Sequence, residues 1–174
     1  MRVIAGKYRG RTLASFEQIG VRPTSDRVKE SLFGILSPVI VGARVLDLFA
    51  GSGSLGIESL SRGASFVRFN DNSGAAIALL KKNLSFLREE NFKVGQADFK
   101  RCLSLPDRYD VVFIDPPYAS DCAREALSLV AGRLTQGGVA VLENEGEALL
   151  VSGLVCYDSR SYGRTKLHFY RGTP

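Results

Sequence analysis

The sequence predicts an α/β fold, a Rossmann-like and mostly parallel sheet with helices on both faces, and three observations carry that prediction. From Ala43 onward, apolar runs of strand length alternate with helical patterns, which is how a covered parallel sheet reads. The first apolar run feeds a glycine turn, Gly51-Ser52-Gly53-Ser54-Leu55-Gly56, that opens a helix. An acid, Asp71, ends the next apolar run 20 residues beyond Gly51.

In chain order, the N-terminus reads as a small hairpin, Arg2 to Ile4 against Arg11 to Leu13, turning near Gly6 and Gly10. A loop from Ser15 to Pro23 follows. Thr24 or Ser25 can cap a helix whose Val28, Leu32, Ile35 and Leu36 share one face. That helix should stop before Pro38, because the residue preceding a proline is pushed out of the helical region. Strands are expected at Arg44-Phe49, Phe66-Asp71, Lys93-Gly95, Val111-Asp115 and Val139-Glu143. Helices are expected at about Leu55-Arg62, Ala75-Glu90 and Cys122-Leu134, with Gly137-Gly138 as a helix stop. Leu154-Tyr157 and Lys166-Arg171 read as an antiparallel pair closing one edge.

No repeat or interdomain linker interrupts the pattern, so residues 1–174 are expected to form one domain, with 1–37 a basic N-terminal extension and 38–174 the core. A 45% hydrophobic composition over this length can bury a core without staples. Cys102, Cys122 and Cys156 form no C-x-x-C, and with the single His168 they make no metal-ligand pattern, so neither disulfides nor a metal is expected. His168 lies in an apolar-alternating strand and is expected to be structural. The first residues lack the apolar run of a signal peptide, and no stretch approaches the ~20 apolar residues of a membrane span, which points to the cytoplasm.

The charge is unevenly placed. Residues 1–29 carry Arg2, Lys7, Arg9, Arg11, Arg22, Arg27 and Lys29 against Glu17 and Asp26, a surplus equal to the +5 of the whole chain. Such a concentration is a phosphate-binding footprint, because neutralising phosphates releases condensed counterions. Val3, Ile4, Tyr8, Leu13 and Phe16 interleave with the charges and favour an ordered surface over a solvated tail. Lys7, Arg9, Arg11, Arg22, Arg27 and Lys29 are the candidate nucleic-acid contacts.

The glycine turn and Asp71 form a site for an adenosine: glycines let the backbone approach the ligand, and the acid takes ribose hydroxyls. A dinucleotide enzyme is the first reading. Asp47, at the end of the first strand, argues against it, because a like charge repels a pyrophosphate while the sulfonium and ammonium of S-adenosylmethionine favour an acid. Asp47, Phe49, Gly51, Gly53, Asp71, Asp98 and Phe99 are thus the candidate cofactor residues. Asp98 could accept from the adenine amino group with Phe99 against the ring, or it could equally cap a helix before Lys100.

Asp115-Pro116-Pro117-Tyr118 crowns the fourth expected strand. An exocyclic nitrogen on a nucleobase is a poor nucleophile while its lone pair is delocalised into the ring. Asp115 can accept one of its N–H groups and the Pro116 carbonyl the other, since proline keeps its acceptor, and Pro117 helps hold that carbonyl still. Tyr118 offers a stacking face worth ~1–3 kcal/mol per base. An ordinary strand-ending turn is the alternative for the tetrapeptide alone.

Together these residues resemble the RsmD family of 16S rRNA guanine-N2 methyltransferases. Arg22 to Phe33 is similar to that family's N-terminal signature, Asp47 to Gly63 to its glycine-rich block, Asp115 to Tyr118 to its catalytic tetrapeptide, and Tyr162 to Thr165 with Phe169-Tyr170 to its closing strands. The resemblance implies a class I methyltransferase sheet of seven strands, with the last but one in space antiparallel. It implies methyl transfer from S-adenosylmethionine to N2 of one guanine (the guanine 966 type site) in 16S rRNA of the small subunit, by a monomer. In the family a second acid often stands where this chain has Ser73. An N6-adenine methyltransferase is the nearest alternative, since the tetrapeptide grips any conjugated amine. A non-catalytic RNA-binding assembly factor is the alternative of another class.

Overall fold

The computed structural model describes residues 1–16, 25–88, 91–117 and 122–173. Arg22, Thr24, Glu90 and Tyr118, about which the sequence raises expectations, lie outside the described residues. The elements run α1 (Asp26–Ile40), β1 (Arg44–Asp47), α2 (Ser54–Ser61), β2 (Phe66–Asp71), α3 (Gly74–Leu84), β3 (Phe92–Gln96), α4 (Phe99–Ser104), β4 (Tyr109–Ile114), α5 (Cys122–Ala131), β5 (Leu134–Asn144), β6 (Leu154–Tyr162) and β7 (Thr165–Gly172).

These strands make one seven-stranded sheet in the order β3-β2-β1-β4-β5-β7-β6. All neighbours from β3 to β5 pair in parallel, and β7 runs antiparallel to both β5 and β6. The order reverses between β1 and β4, so the C-terminal tips of those two strands face a common crevice, where open α/β sheets bind ligands.

Alternation along the strands sorts side chains onto two faces. Val45, Val111, Phe113, Val139 and Val141 pack with Val28, Leu32, Phe33 and Leu36 of α1. Leu46, Val112, Ile114, Ala140 and Leu142 pack with Leu103 of α4 and Leu127 and Val130 of α5. Phe33 meets Phe113 at 5.8 Å between ring centroids and is fully buried, worth roughly 1.5–3 kcal/mol relative to exposure. Because α1 covers the sheet in this way, the expected boundary between 37 and 38 falls inside a helix, and the N-terminal residues belong to the core.

Several local expectations are corrected. The helix runs through Pro38, which sits in its last turn, so that only the bond to the carbonyl of the exposed Gly34 is forgone. The second long helix ends at Leu84; Leu87 continues the apolar row and is buried, but it follows a turn closed by the Leu87 amide on the Leu84 carbonyl. The next ends at Ala131, and Leu134 already pairs with Tyr109 in the sheet. Gly137-Gly138 lies inside β5, where the pairing steps from Tyr109↔Leu134 to Val111↔Val139. Gly137 takes φ 78°, and a Cβ on Gly138 would stand 3.0 Å from the Tyr109 carbonyl oxygen, so this irregularity needs both glycines. The short α4 is the helix that the capping reading of Asp98 allowed. At the N-terminus the pairing is one antiparallel bridge, Arg2↔Thr12, flanked by bonds from the Val3 amide to the Arg11 carbonyl and from the Leu13 amide to the Met1 carbonyl. No helix among the described residues is long and apolar enough to cross a membrane.

Candidate functional site

The crevice between β1 and β4 is built around the glycine turn. Gly51 takes φ 54° and Gly53 φ 80°, both in the left-handed region that favours glycine. A Cβ at Gly53 would come 2.3 Å from Leu80 Cδ1, and one at Gly56 would come 2.1 Å from the Phe69 ring. At Gly51 nothing lies within 4 Å of the added Cβ position. The turn is thus packed hard against β2 and α3 on one side and open at Gly51, which suits close approach by a ligand.

Asp71, at the tip of β2, braces the turn. Its Oδ2 accepts from the Gly51 amide at 2.9 Å and its Oδ1 from the Ser73 amide at 2.9 Å. Each carboxylate oxygen has a further lone pair, so this half-buried acid can also receive ribose hydroxyls. Ser73, in the place of the family's second acid, caps α3 by accepting from the Ala76 amide at 3.3 Å. Asn70 is buried and donates to the carbonyls of Leu48 at 3.2 Å and Ala97 at 3.0 Å, tying together the loops after β1 and β3.

Asp47 does not face openly into the crevice as expected. It is buried, and its Oδ2 accepts from the Gly56 amide at 3.0 Å, inside the first turn of α2. Burial pushes its carboxyl up to about 7, against the pull of that hydrogen bond, with a smaller push from Asp71. Asp98 caps α4: it is exposed and its Oδ1 accepts from the Lys100 amide at 2.8 Å. Phe99 is a core residue rather than a free adenine platform, buried and 5.7 Å from the half-buried Phe49.

Across the crevice, Asp115 follows directly on β4, half-buried, with Pro116 buried and Pro117 exposed. Its carboxyl is held well above the usual carboxylate range, first by burial, then by the negative charges of Glu143 and Asp47. Asp47 pairs with Phe113, two residues before Asp115, so Asp115 stands at the tip of the strand next to the one that leads into the glycine turn. The two halves of the expected site are therefore brought together, while Tyr118 lies outside the described residues.

The basic segment divides. Lys7, Arg9, Arg11 and Arg27 are exposed, with the Arg11 guanidinium 4.4 Å from the centre of the Phe86 ring. Lys29 is a correction. It is wholly buried, donates from Nζ to the Arg2 carbonyl at 2.6 Å, and stands 3.5 Å from Oε2 of the equally buried Glu58. Burial lowers its pKa despite the attraction of Glu58. Its position on the apolar side of α1 decides this, and a count of charges could not. Glu58 in turn accepts from the amides of Ile4 at 2.8 Å and Ala5 at 3.0 Å and from Arg62 Nε at 2.8 Å. Ser61 adds a bond from its hydroxyl to the Ala5 carbonyl at 2.6 Å, so the N-terminal strip is fastened along α2.

One residue that the sequence reading passed over links this strip to the turn. Asn83 accepts from the Ala14 amide and donates to the Ala14 and Ser52 carbonyls, each at 2.9 Å. A buried asparagine on a helix is the signal that could have found it, but burial is visible only after folding.

The comparisons with known proteins agree with this geometry. Ribosomal RNA small subunit methyltransferase D of Haemophilus influenzae is 40% identical over 159 residues, covering 87% of this chain and 82% of that protein. The Escherichia coli protein of the same description is 39% identical over 150 residues, covering 84% and 76%. The solved structure of yhhF from Escherichia coli matches with a TM-score of 0.88 at 34% identity, over 99% of this chain and 97% of that one. A family model described as Conserved hypothetical protein 95 matches residues 1–171, and with relatives this close over most of their length the chain belongs to that family, the RsmD family.

Proposed function

We propose that this protein transfers a methyl group from S-adenosylmethionine to the exocyclic N2 of one guanine in 16S rRNA, on the small ribosomal subunit or its assembly intermediate, as a cytoplasmic monomer. The observation that carries this reading is the meeting of Asp115 with the glycine turn across β1 and β4, in a chain whose relatives are described as small-subunit rRNA methyltransferases.

S-adenosylmethionine, when bound, supplies an electrophilic methyl carbon on a sulfonium. Gly51 and Gly53 let the main chain close on that cofactor, Asp71 takes the ribose, and Phe49 gives the crevice an apolar wall. A stacked base cannot present its amino group, so the guanine must be splayed out into the crevice. There Asp115 accepts one N–H of the amine and the Pro116 carbonyl the other, and Tyr118 stacks on the ring. Drawing on both hydrogens localises the nitrogen lone pair, and as the N–C bond forms and the methyl–sulfur bond breaks, Asp115 takes the proton of the N–H it holds. Alignment and fixed dipoles supply the acceleration, with no covalent intermediate on the protein. Lys7, Arg9, Arg11 and Arg27 hold the flanking phosphates.

The test is to incubate the protein and labelled cofactor with small subunits, free rRNA and DNA from a strain lacking the gene, then to digest and separate the nucleosides. Label in N2-methylguanosine from one position of 16S rRNA is expected. Label in N6-methyladenosine, or in DNA, would overturn the assignment.

A further inference from the structure

We infer that Asn83 is a positioning residue for the cofactor: through the Ser52 carbonyl it sets the shape of the glycine turn, and it takes its own orientation from the N-terminal strip. This rests on the reading of that turn as the S-adenosylmethionine site.

The turn has little stiffness of its own. Ser52 stands between Gly51 and Gly53, both with positive φ, and glycines on either side leave a peptide free to turn over. From the sheet, the Gly51 amide is tied to Asp71 Oδ2 at 2.9 Å and the Ala50 amide to the Asn70 carbonyl at 2.8 Å. The Ser52 carbonyl is held from the other side, by Asn83 Nδ2 at 2.9 Å.

Asn83 can reach it because α3 runs against the turn, as the contact of Leu80, one helical turn earlier, with the Gly53 position shows. Asn83 is itself only 5% exposed, so its polar atoms must find partners inside the protein. One Nδ2 hydrogen goes to the Ser52 carbonyl and the other to the Ala14 carbonyl, while Oδ1 accepts from the Ala14 amide. A backbone amide can only donate. Ala14 therefore decides which way the side-chain amide faces, and so that a donor rather than an acceptor meets Ser52. The strip reaches this contact already braced, with the Leu13 amide on the Met1 carbonyl at 3.0 Å and Met1 Sγ 3.9 Å from Ser52 Oγ.

Without the Asn83 donor, the Ser52 carbonyl is left to find water, and the turn relaxes towards shapes that supply it. The shape that fits the cofactor is then populated less, and apparent affinity falls by that fraction.

The experiment compares the parent with Asn83→Leu, which has nearly the same shape and no polar atom, and with Asn83→Asp, which keeps the acceptor for the Ala14 amide and loses Nδ2. Cofactor affinity is measured by calorimetry, amide hydrogen exchange at Gly53 without cofactor, stability in urea, and methyl transfer at saturating cofactor. Both variants are expected to raise the Kd for S-adenosylmethionine by at least about tenfold and to speed exchange at Gly53, with kcat and RNA affinity kept within about twofold. Ala14→Pro, which removes the amide that Oδ1 accepts, is expected to raise Kd by at least about threefold alone and to add nothing on top of Asn83→Leu. Should the leucine variant fail to fold, Asn83→Asp carries the same expectations. Lower stability with cofactor affinity and Gly53 exchange unchanged would make Asn83 a tie in the core alone and would overturn the inference. Effects of Ala14→Pro and Asn83→Leu that simply multiply would overturn the part assigned to the strip. A parent that binds no S-adenosylmethionine is a different failure, since it removes the cofactor reading itself.

Discussion

Replacing Lys29 by Met tests whether the basic N-terminal region divides into a buried and an exposed part. Methionine keeps much of the aliphatic stem and removes the ammonium, so little cavity is created. Removing one partner of a buried ion pair costs ~3–5 kcal/mol because the other charge stays desolvated. Here Glu58 keeps Arg62 Nε at 2.8 Å and the amides of Ile4 and Ala5, which sets the loss at the lower end, about 3 kcal/mol. For a chain of this length that is a fall in Tm of roughly 6–12 °C. Urea unfolding should show a lower midpoint with an unchanged slope, since the surface exposed on unfolding is the same. Combining Lys29→Met with Glu58→Gln should cost less than the two single losses added. RNA affinity, measured well below the transition, should be unaltered. A stability change under about 0.5 kcal/mol together with weakened RNA binding would refute the reasoning.

Asp115→Ala should retain cofactor binding by calorimetry and lose methyl transfer by roughly 10²–10³-fold, the scale seen when one preorganised polar contact is removed; turnover at the parent rate would exclude Asp115 from the chemistry. Reversing Arg9 and Arg11 to Glu should weaken RNA binding, most at low salt, and lower the slope of log affinity against log salt by about 1.4–1.8. An unchanged slope in a filter-binding series would return those arginines to plain solvation. Burial pushes the Asp47 carboxyl up to about 7 from an ordinary 3.8, so its contribution to stability is fully present below the unfolded value and is lost as pH rises from about 4 to about 7. Asp47→Asn should flatten the stability profile in that window, by as much as roughly 4 kcal/mol, in denaturant melts at stepped pH. A profile parallel to the parent's would show that the carboxyl is not desolvated.

Much of the sheet could be read from the chain because two periodicities were unambiguous. Phe66–Asp71 came out with both ends correct, since the apolar Phe66, Val67 and Phe69 mark the strand and it stops at an acid followed by a helix cap. The glycine turn and Asp115 were legible for a similar reason: their chemistry is local, carried by neighbours in sequence at strand tips. What escaped was decided by tertiary position. Lys29 counts as a charge in the sequence, and only its place on the inner side of α1 makes it a core residue. Phe99 reads as an adenine platform until Phe49 is found against it. Glu143 carries no motif and gains meaning only from the register that sets it beside Asp115. Gly137-Gly138 is a common helix-stop dipeptide, used here to absorb a ladder irregularity that no one-dimensional pattern records.

All eight residues of α2 are buried, because the strip from Met1 to Ala14 roofs the side of the helix that the sheet does not cover. The helix that carries the glycine turn therefore has no wet face of its own. Clip that roof away and Glu58 loses the Ile4 and Ala5 amides, Ser61 loses the Ala5 carbonyl, and a dry helix face is opened to water. The N-terminal strip and the helix behind the glycine turn are for this reason one cooperative unit, and neither can be trimmed or grafted without carrying the other along.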